Sequence, residues 1–183
     1  VEIELIVTEE CPNLIESRIE LAIRIFASAD ENLIARQLSI SKATLCAAPS
    51  YLAQAPQIKS PNDLKNHQLL LCTSFKPYTK WTFSKGTNVI NLEVGSNLVS
   101  NDILILSRAA VAGGGIVRLP CFLAKPLIRE GKLTQVLPEW HIFELNIWAV
   151  YICREHQPAS IRSLIDFMVD YFEAERAQLR IVK

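Results

Sequence analysis

The stretch from Val99 to Pro120, VSNDILILSRAAVAGGGIVRLP, constrains the fold more than any other part of the chain. It reads as strand end, capped helix, glycine turn, short strand and stop. Asn101 and Asp102 are both strong N-cap types, whose side-chain oxygens accept hydrogen bonds from the free amides of a first helical turn. Ile103, Leu106 and Ala110 recur at helical spacing, and Ala109 and Ala112 thin the helix enough for it to lie close on a sheet. Gly113, Gly114 and Gly115 give the unhindered backbone that a helix C-terminus favours, and residues 116–119 are short and β-rich before Pro120 ends them. The polar helix start could be one wall of a small-ligand cleft, because helix N-termini present unpaired N–H groups. On these residues alone the plainer reading, an ordinary capped helix in an α/β domain, is favoured.

At 183 residues the chain is long enough to bury a real core, as one domain or two small lobes. Half of it is hydrophobic and 21% is charged, a globular balance. Its 19 Lys and Arg offset 19 Asp and Glu, so it carries no broad basic footprint for a phosphate backbone and is a poor DNA binder by itself. No apolar run approaches a bilayer span, and VEIELIVTEE has neither a basic n-region nor a small-residue cleavage site. The five cysteines, at 11, 46, 72, 121 and 153, are odd in number and widely spaced, which indicates neither a disulfide framework nor a zinc site. Each lies in or beside an apolar run, where Cys acts as a small hydrophobe. Cys72, ahead of a polar loop, is the one position with a redox alternative. These features together point to a reduced, cytoplasmic location.

Along the chain, Val1, Ile3, Leu5 and Val7 alternate with Glu2, Glu4 and Thr8, the period of a strand. Pro12 suits the first turn of a short helix through about Ser17, and LAIRIF at 21–26 is a second strand, with Arg24 either at a sheet edge or paired. Residues 35–38 and 42–46 are extended, SYLAQ is a single helical turn, and Ser60-Pro61-Asn62-Asp63 opens another short helix. Leu69–Cys72 reads as a buried strand before the polar loop TSFKPYTK. Trp81-Thr82-Phe83 and Val89–Val94 are two strands around Lys85-Gly86-Thr87-Asn88. Residues 121–130 are helical despite Pro126, residues 133–137 and 145–153 are strands, and the clearest helix follows Pro158 with the stripe Ile161, Leu164, Ile165, Met168 and Phe172. The charged tail EAERAQLRIVK is expected to fray at its end. Alternating strands and helices predict α/β architecture with largely parallel sheets, which place ligands at strand carboxyl ends. Three turns fit: Thr8-Glu9-Glu10, Thr73-Ser74 and Asn101-Asp102.

Over about residues 1–170 these pieces, in order, resemble the C-terminal effector-binding domain of LysR-type transcriptional regulators. VEIELIV and LAIRIF resemble that family's early strands, ARQL its A-R-x-L element, and CAAPSYL its C-A-S-P-x-Y-L element. PNDLKNH, the W-x-F of 81–83, EGKLTQVLPEW and IRSLIDFM continue the match. The stretch from Asn101 to Pro120 resembles the family's N-D…A-A-x-A-G-x-G-I-x-x-L-P. Ala48 stands where Ser is usual, Glu20 where Asp is, and Arg118 lies in a strand that is usually more apolar, so it is expected to face solvent or reach towards an acidic group.

The resemblance implies two Rossmann-like lobes joined by crossing strands, the periplasmic-binding-protein-like (type 2) architecture, here without its first strand and helix. One effector-binding domain spans 1–183, with lobe one at about 1–45 plus 152–183 and lobe two at about 46–151. The resemblance further implies that the winged helix-turn-helix lies in a longer chain. DNA would then be engaged only through that region, and homodimers or tetramers form by pairing of domains like this one. A small-molecule effector, commonly a small organic acid, would sit between the lobes. Thr8, Glu9 and Glu10 would offer the lobe-one wall, and Thr73, Ser74, Asn101, Asp102, Gly114 and Gly115 that of lobe two. No cofactor, metal, membrane or catalytic role is implied.

Each candidate has a plainer alternative. Thr73 and Ser74 are common turn residues, and Asp102 can be a cap alone. Glu9 and Glu10 repel an anion in a dry cleft, so they point to solvent or the ligand carries a cationic or hydroxyl group. His67, His141 and His156 are dispersed on loops and polar segments, and Trp81, Trp140 and Trp148 read as core. GGG at 113–115 follows a helix instead of preceding one and is no phosphate loop. A solute-binding protein of a transport system shares the implied architecture and is the alternative function.

Overall fold

The computed structural model describes residues 2–8, 10, 12–25, 34–74, 77–142, 144–152 and 158–181; for Leu145 and residues 175–181 it describes the backbone only. The chain divides into two compact units, Val1–Ser41 with Leu145–Lys183 and Lys42–Glu144.

In the first unit, β1 (Ala22–Ile25) pairs antiparallel with β9 (Glu144–Tyr151), and β9 neighbours β2 (Ile34–Ala47). Helix α4 (Ala159–Ile181) covers this sheet, burying Ile161 and Ile165 against Leu38, Ile147 and Ala149, with Met168 and Phe172 packed beside them. That is the stripe expected from the 3.6-residue period. The charged tail continues the helix as far as Ile181, and its last two residues, where fraying is expected, lie outside the described residues. Arg24 sits on the edge strand and also has a partner, donating from Nη2 to the Pro12 carbonyl at 3.0 Å. In place of a helix at 12–17 there is one turn held by Asn13, whose Oδ1 accepts from the Ile15 amide at 3.0 Å.

Residues 2–8 depart from expectation. Their alternation predicts a strand, yet they carry no strand pairing, and Leu5 and Val7 are 82% and 88% exposed. Alternating side chains favour extended backbone, but a strand exists only where a neighbour supplies ladder hydrogen bonds.

The second unit holds a five-stranded sheet in the order β8 (Thr134–Val136), β2, β7 (Ile116–Pro120), β3 (Leu69–Cys72), β6 (Leu98–Ser100). β3 runs parallel to β6 and β7, while β2 runs antiparallel to β7 and β8, so the sheet is more mixed than the sequence suggests. Both faces are covered, which is why β3 is buried at all four positions. On one face Leu45, Leu69, Leu71 and Ile116 pack beneath Leu64 and the hairpin of β4 (Lys80–Lys85) and β5 (Asn88–Glu93), whose inward residues are Trp81, Phe83 and Leu92. On the other, Cys46, Leu70, Val117 and Leu119 meet Leu106 and Ala110 of α2 (Ile103–Val111) and Ala124 of α3 (Cys121–Arg129). The short pieces between take the predicted forms. The turn α1 (Pro49–Leu52) follows Ala48, and a 3₁₀ turn at Pro61–Asn66 is closed by Asp63, which accepts from the Ser60 amide at 2.8 Å.

Candidate functional site

The second unit brings four of the sequence-predicted residues to one place. β3 and β6 are parallel, with Cys72 opposite Ser100, so the residues after each strand emerge at the same edge. Thr73 donates its amide to the Ser100 carbonyl at 3.0 Å. The Ser74 hydroxyl donates to the Asn101 carbonyl at 2.9 Å, and the Cys72 thiol points at the same oxygen from 3.7 Å. This edge is the carboxyl end of parallel strands, the position at which α/β sheets hold ligands.

Asp102 is the N-cap of α2, accepting from the Leu104 amide at 2.7 Å and the Ile105 amide at 3.3 Å. Asn101, the other candidate cap, instead lends its carbonyl to the loop after β3. Two helix N-terminal amides are thus committed to a carboxylate of the chain itself. A helix start is ordinarily an anion receptor, and here Asp102 already fills that role.

Gly114 and Gly115 lie at the opposite edge. They precede Ile116, the first residue of β7, which is opposite Leu69, the first residue of β3. Gly115 has φ +142, and a Cβ there would stand 2.5 Å from the Gln68 carbonyl oxygen; close backbone approach therefore explains this glycine. At the same edge a cavity of about 390 Å3 is lined by Ser50, Tyr51, Gln54, Asn66 and Gln68, among others. Its residues come from three separated stretches, 50–56, 66–68 and 112–113, and no single one carries a sequence signal for it. Beside it, the Tyr51 hydroxyl accepts from the Gln68 amide at 2.9 Å and lies 3.2 Å from Nδ1 of His67.

Thr8 and Glu10 belong to the first unit and are exposed; the Thr8 hydroxyl oxygen accepts from the Glu10 amide at 3.1 Å. Glu9 lies outside the described residues, as do Cys11, Cys153 and His156. Of the described cysteines, Cys46 and Cys72 are buried and Cys121 is half-buried. Burial pushes the Cys46 thiol up to about 12 and raises that of Cys121, which keeps both in the inert thiol form. Among the described residues no cluster of His, Cys, Asp or Glu is able to hold a metal, and no helix is long and apolar enough to cross a membrane.

Sequence reasoning missed the surroundings of Arg118. Of the two alternatives for the charge in IVRLP, solvent is excluded: the side chain is buried, with the guanidinium carbon 5.0 Å from the centre of the Trp81 ring. Burial pulls the guanidinium down to about 10, with the Cys72 side chain acting in the opposite sense.

A mixed α/β sheet with candidate ligand groups at its strand carboxyl ends describes a class of small-molecule-binding regulatory and transport domains. Comparison with known proteins decides within that class. Residues 1–173 match the LysR substrate binding domain, and the chain belongs to this family. It is 28% identical over 179 residues to the HTH-type transcriptional regulator PtxR of Pseudomonas aeruginosa, covering 98% of this chain and 57% of that protein. The full-length virulence activator AphB of Vibrio cholerae, a member of the LTTR family, superposes with a TM-score of 0.81 at 26% identity, over 94% of this chain and 58% of that one. The regulatory domain of CrgA from Neisseria meningitidis, a LysR-type transcriptional regulator, gives 0.79 at 29% identity, over 90% and 81%. The fold is thus that of LysR-type regulatory domains, which have the two-lobe periplasmic-binding-protein-like architecture, and the regulator reading stands over the transport one. The chain spans little more than half the length of PtxR.

Proposed function

We propose that this chain is the effector-sensing part of a LysR-type transcriptional regulator, acting in the cytoplasm. It would bind a small organic acid and pass the binding event, through the oligomer, to DNA-binding domains encoded elsewhere in the same protein. The observation carrying this reading is the parallel register of β3 and β6, which assembles Thr73, Ser74, Asn101 and Asp102 at one sheet edge in a chain of this family. The Thr73 hydroxyl can donate to a ligand carboxylate, while the Ser74 hydroxyl, whose proton goes to the Asn101 carbonyl, ties the two strand ends together and can accept from a ligand hydroxyl or amine. Thermodynamically, an effector with unequal affinity for two arrangements of the domain shifts their populations, and that difference is all the signal it can transmit.

The regulator assignment is tested by reading the coding sequence upstream of Val1, where a helix-turn-helix pattern is expected and a secretory or lipoprotein signal would reverse it. Effector binding is tested by thermal-shift screening of carboxylates, aromatic acids and amino acids against the chain and its Thr73→Val and Ser74→Ala variants. Stabilisation that both substitutions weaken supports the wall; stabilisation untouched by either moves the site elsewhere. Light scattering at micromolar concentration is expected to give a dimer or tetramer.

A further inference from the structure

The two edges of the second sheet differ in chemistry. At the amino ends of β3 and β7, away from Thr73 and Ser74, lies the cavity of about 390 Å3, within the range of small-molecule sites, about 300–1,000 Å3. None of its lining residues is charged. Gln54, Asn66 and Gln68 bring three side-chain amides to it, and among the described residues none of these amides makes a hydrogen bond. All three residues, with Ser50, are exposed, so the cavity is reached directly from solvent. The Ser50 hydroxyl closes towards the end of α2, where a Cβ on Gly113 would stand 3.4 Å from Oγ. The Tyr51 hydroxyl is already engaged by the Gln68 amide and by His67, so Tyr51 leaves its ring for a ligand, beside Ala55 and Pro56.

The end of α2 argues against an anion here. The amides of Ala112, Gly113 and Gly114 are spent on the carbonyls of Arg108, Ala110 and Ala109, at 2.9 to 3.0 Å, and a helix C-terminus carries partial negative charge. A carboxylate would find no cation in the lining, and an apolar ligand would strip water from three amides without replacing it. We propose that this cavity is a second binding site, for a neutral polyhydroxy compound of monosaccharide size. A hydroxyl both donates and accepts, and a side-chain amide offers a donor and an acceptor side by side, so adjacent hydroxyls pair with an amide without any charge. The ring of Tyr51, with Ala55 and Pro56, supplies an apolar surface for the C–H face of a sugar. The site is independent of the effector wall at the opposite edge.

Amide NMR of the chain reads both edges at once. Glucose and myo-inositol are titrated beside glucuronate, the same ring with a carboxylate, and caffeine, a planar heterocycle without hydroxyls. Saturable shifts of the Gln68 and Gly113 amides are expected with glucose or myo-inositol, at midpoints on the order of millimolar, while the Thr73 amide stays still. Gln54→Leu and Asn66→Leu, each checked for folding by circular dichroism, are expected to weaken binding about fivefold, the scale of one neutral hydrogen bond. Glucuronate and caffeine are expected to bind more weakly than either neutral polyol. The proposal is overturned if neither glucose nor myo-inositol shifts these amides, or if the shifts rise without saturating. It is equally overturned by glucuronate or caffeine binding as tightly, by full binding to the folded Leu variants, or by shifts at Thr73 in place of Gln68. Should one variant fail to fold, the other decides. Should both fail, the contrast between glucose and glucuronate in the unaltered chain decides.

Discussion

At Asp102 a single carboxylate closes two helix amides, and the cap can be separated from any ligand role by substitution. Asp102→Ala is expected to cost about 1 kcal/mol, seen as a fall in Tm of about 2–4 °C for a domain of this size. Asp102→Asn keeps the cap and should leave Tm nearly unchanged, so a loss of acid response in that variant would mark a ligand contact. His67 makes a second residue-scale prediction. Burial lowers its pKa below the ordinary 6.5, outweighing the nearby Asp63, which pulls it up. The unfolded chain then binds the proton more readily than the fold, so stability declines as pH falls through about 6.5. His67→Gln should flatten urea midpoints between pH 7.5 and 5.5. Asp63, held below the usual carboxylate range by the Lys59 and Ser60 amides, loses its contribution only at lower pH and does not confound that window. Asp102 was legible because a cap is a local device, read from the residue and the helix behind it. Arg118 was not, because its neighbour Trp81 comes from another part of the chain, and only the assembled sheet and hairpin show the pair.

Among elements, the segment from α2 to β7 owes its shape to the glycines at its end. Gly115→Ala forces a Cβ against the Gln68 carbonyl at a φ that L residues avoid, and it should destabilise by more than about 2 kcal/mol by urea denaturation. Gly131 has φ +69 but open space around it, so Gly131→Ala should cost only about 1 kcal/mol. If the two costs come out equal, the close approach at Gln68 is not what holds this junction. Elements whose stability is local were readable: α1, the 3₁₀ turn, the W-x-F hairpin and the stripe of α4. Residues 2–8 were misread for the complementary reason, since alternation records which backbone a segment prefers and not whether a partner strand exists. The mixed direction of the second sheet escaped for a similar cause. Nothing in residues 42–47 says that the strand will run antiparallel to β7.

The molecule as a whole distributes its core unevenly. Among the described residues, the second unit has apolar clusters on both faces of its sheet, and the first has one, between its sheet and α4. A fragment comprising residues 42–144 is therefore expected to fold alone. At about 100 residues it is within the range of self-sufficient domains. A cooperative urea transition with blue-shifted tryptophan emission would support this, and a broad, uncooperative one would refute it. The sequence-based division, near residues 45 and 152, and the observed one, at 41/42 and 144/145, both run through extended segments, where composition does not change and no turn residue marks an end. The first and last residues of that fragment are close together: Nζ of Lys42 lies 4.0 Å from Oε1 of Glu144. The pair is exposed, and its energy is small, but it serves as a ruler. A segment that leaves and re-enters its host at neighbouring points is a genetic cassette. Exchanging it between relatives needs only two junctions and would carry Thr73, Ser74, Asn101 and Asp102 across together as one transplanted block.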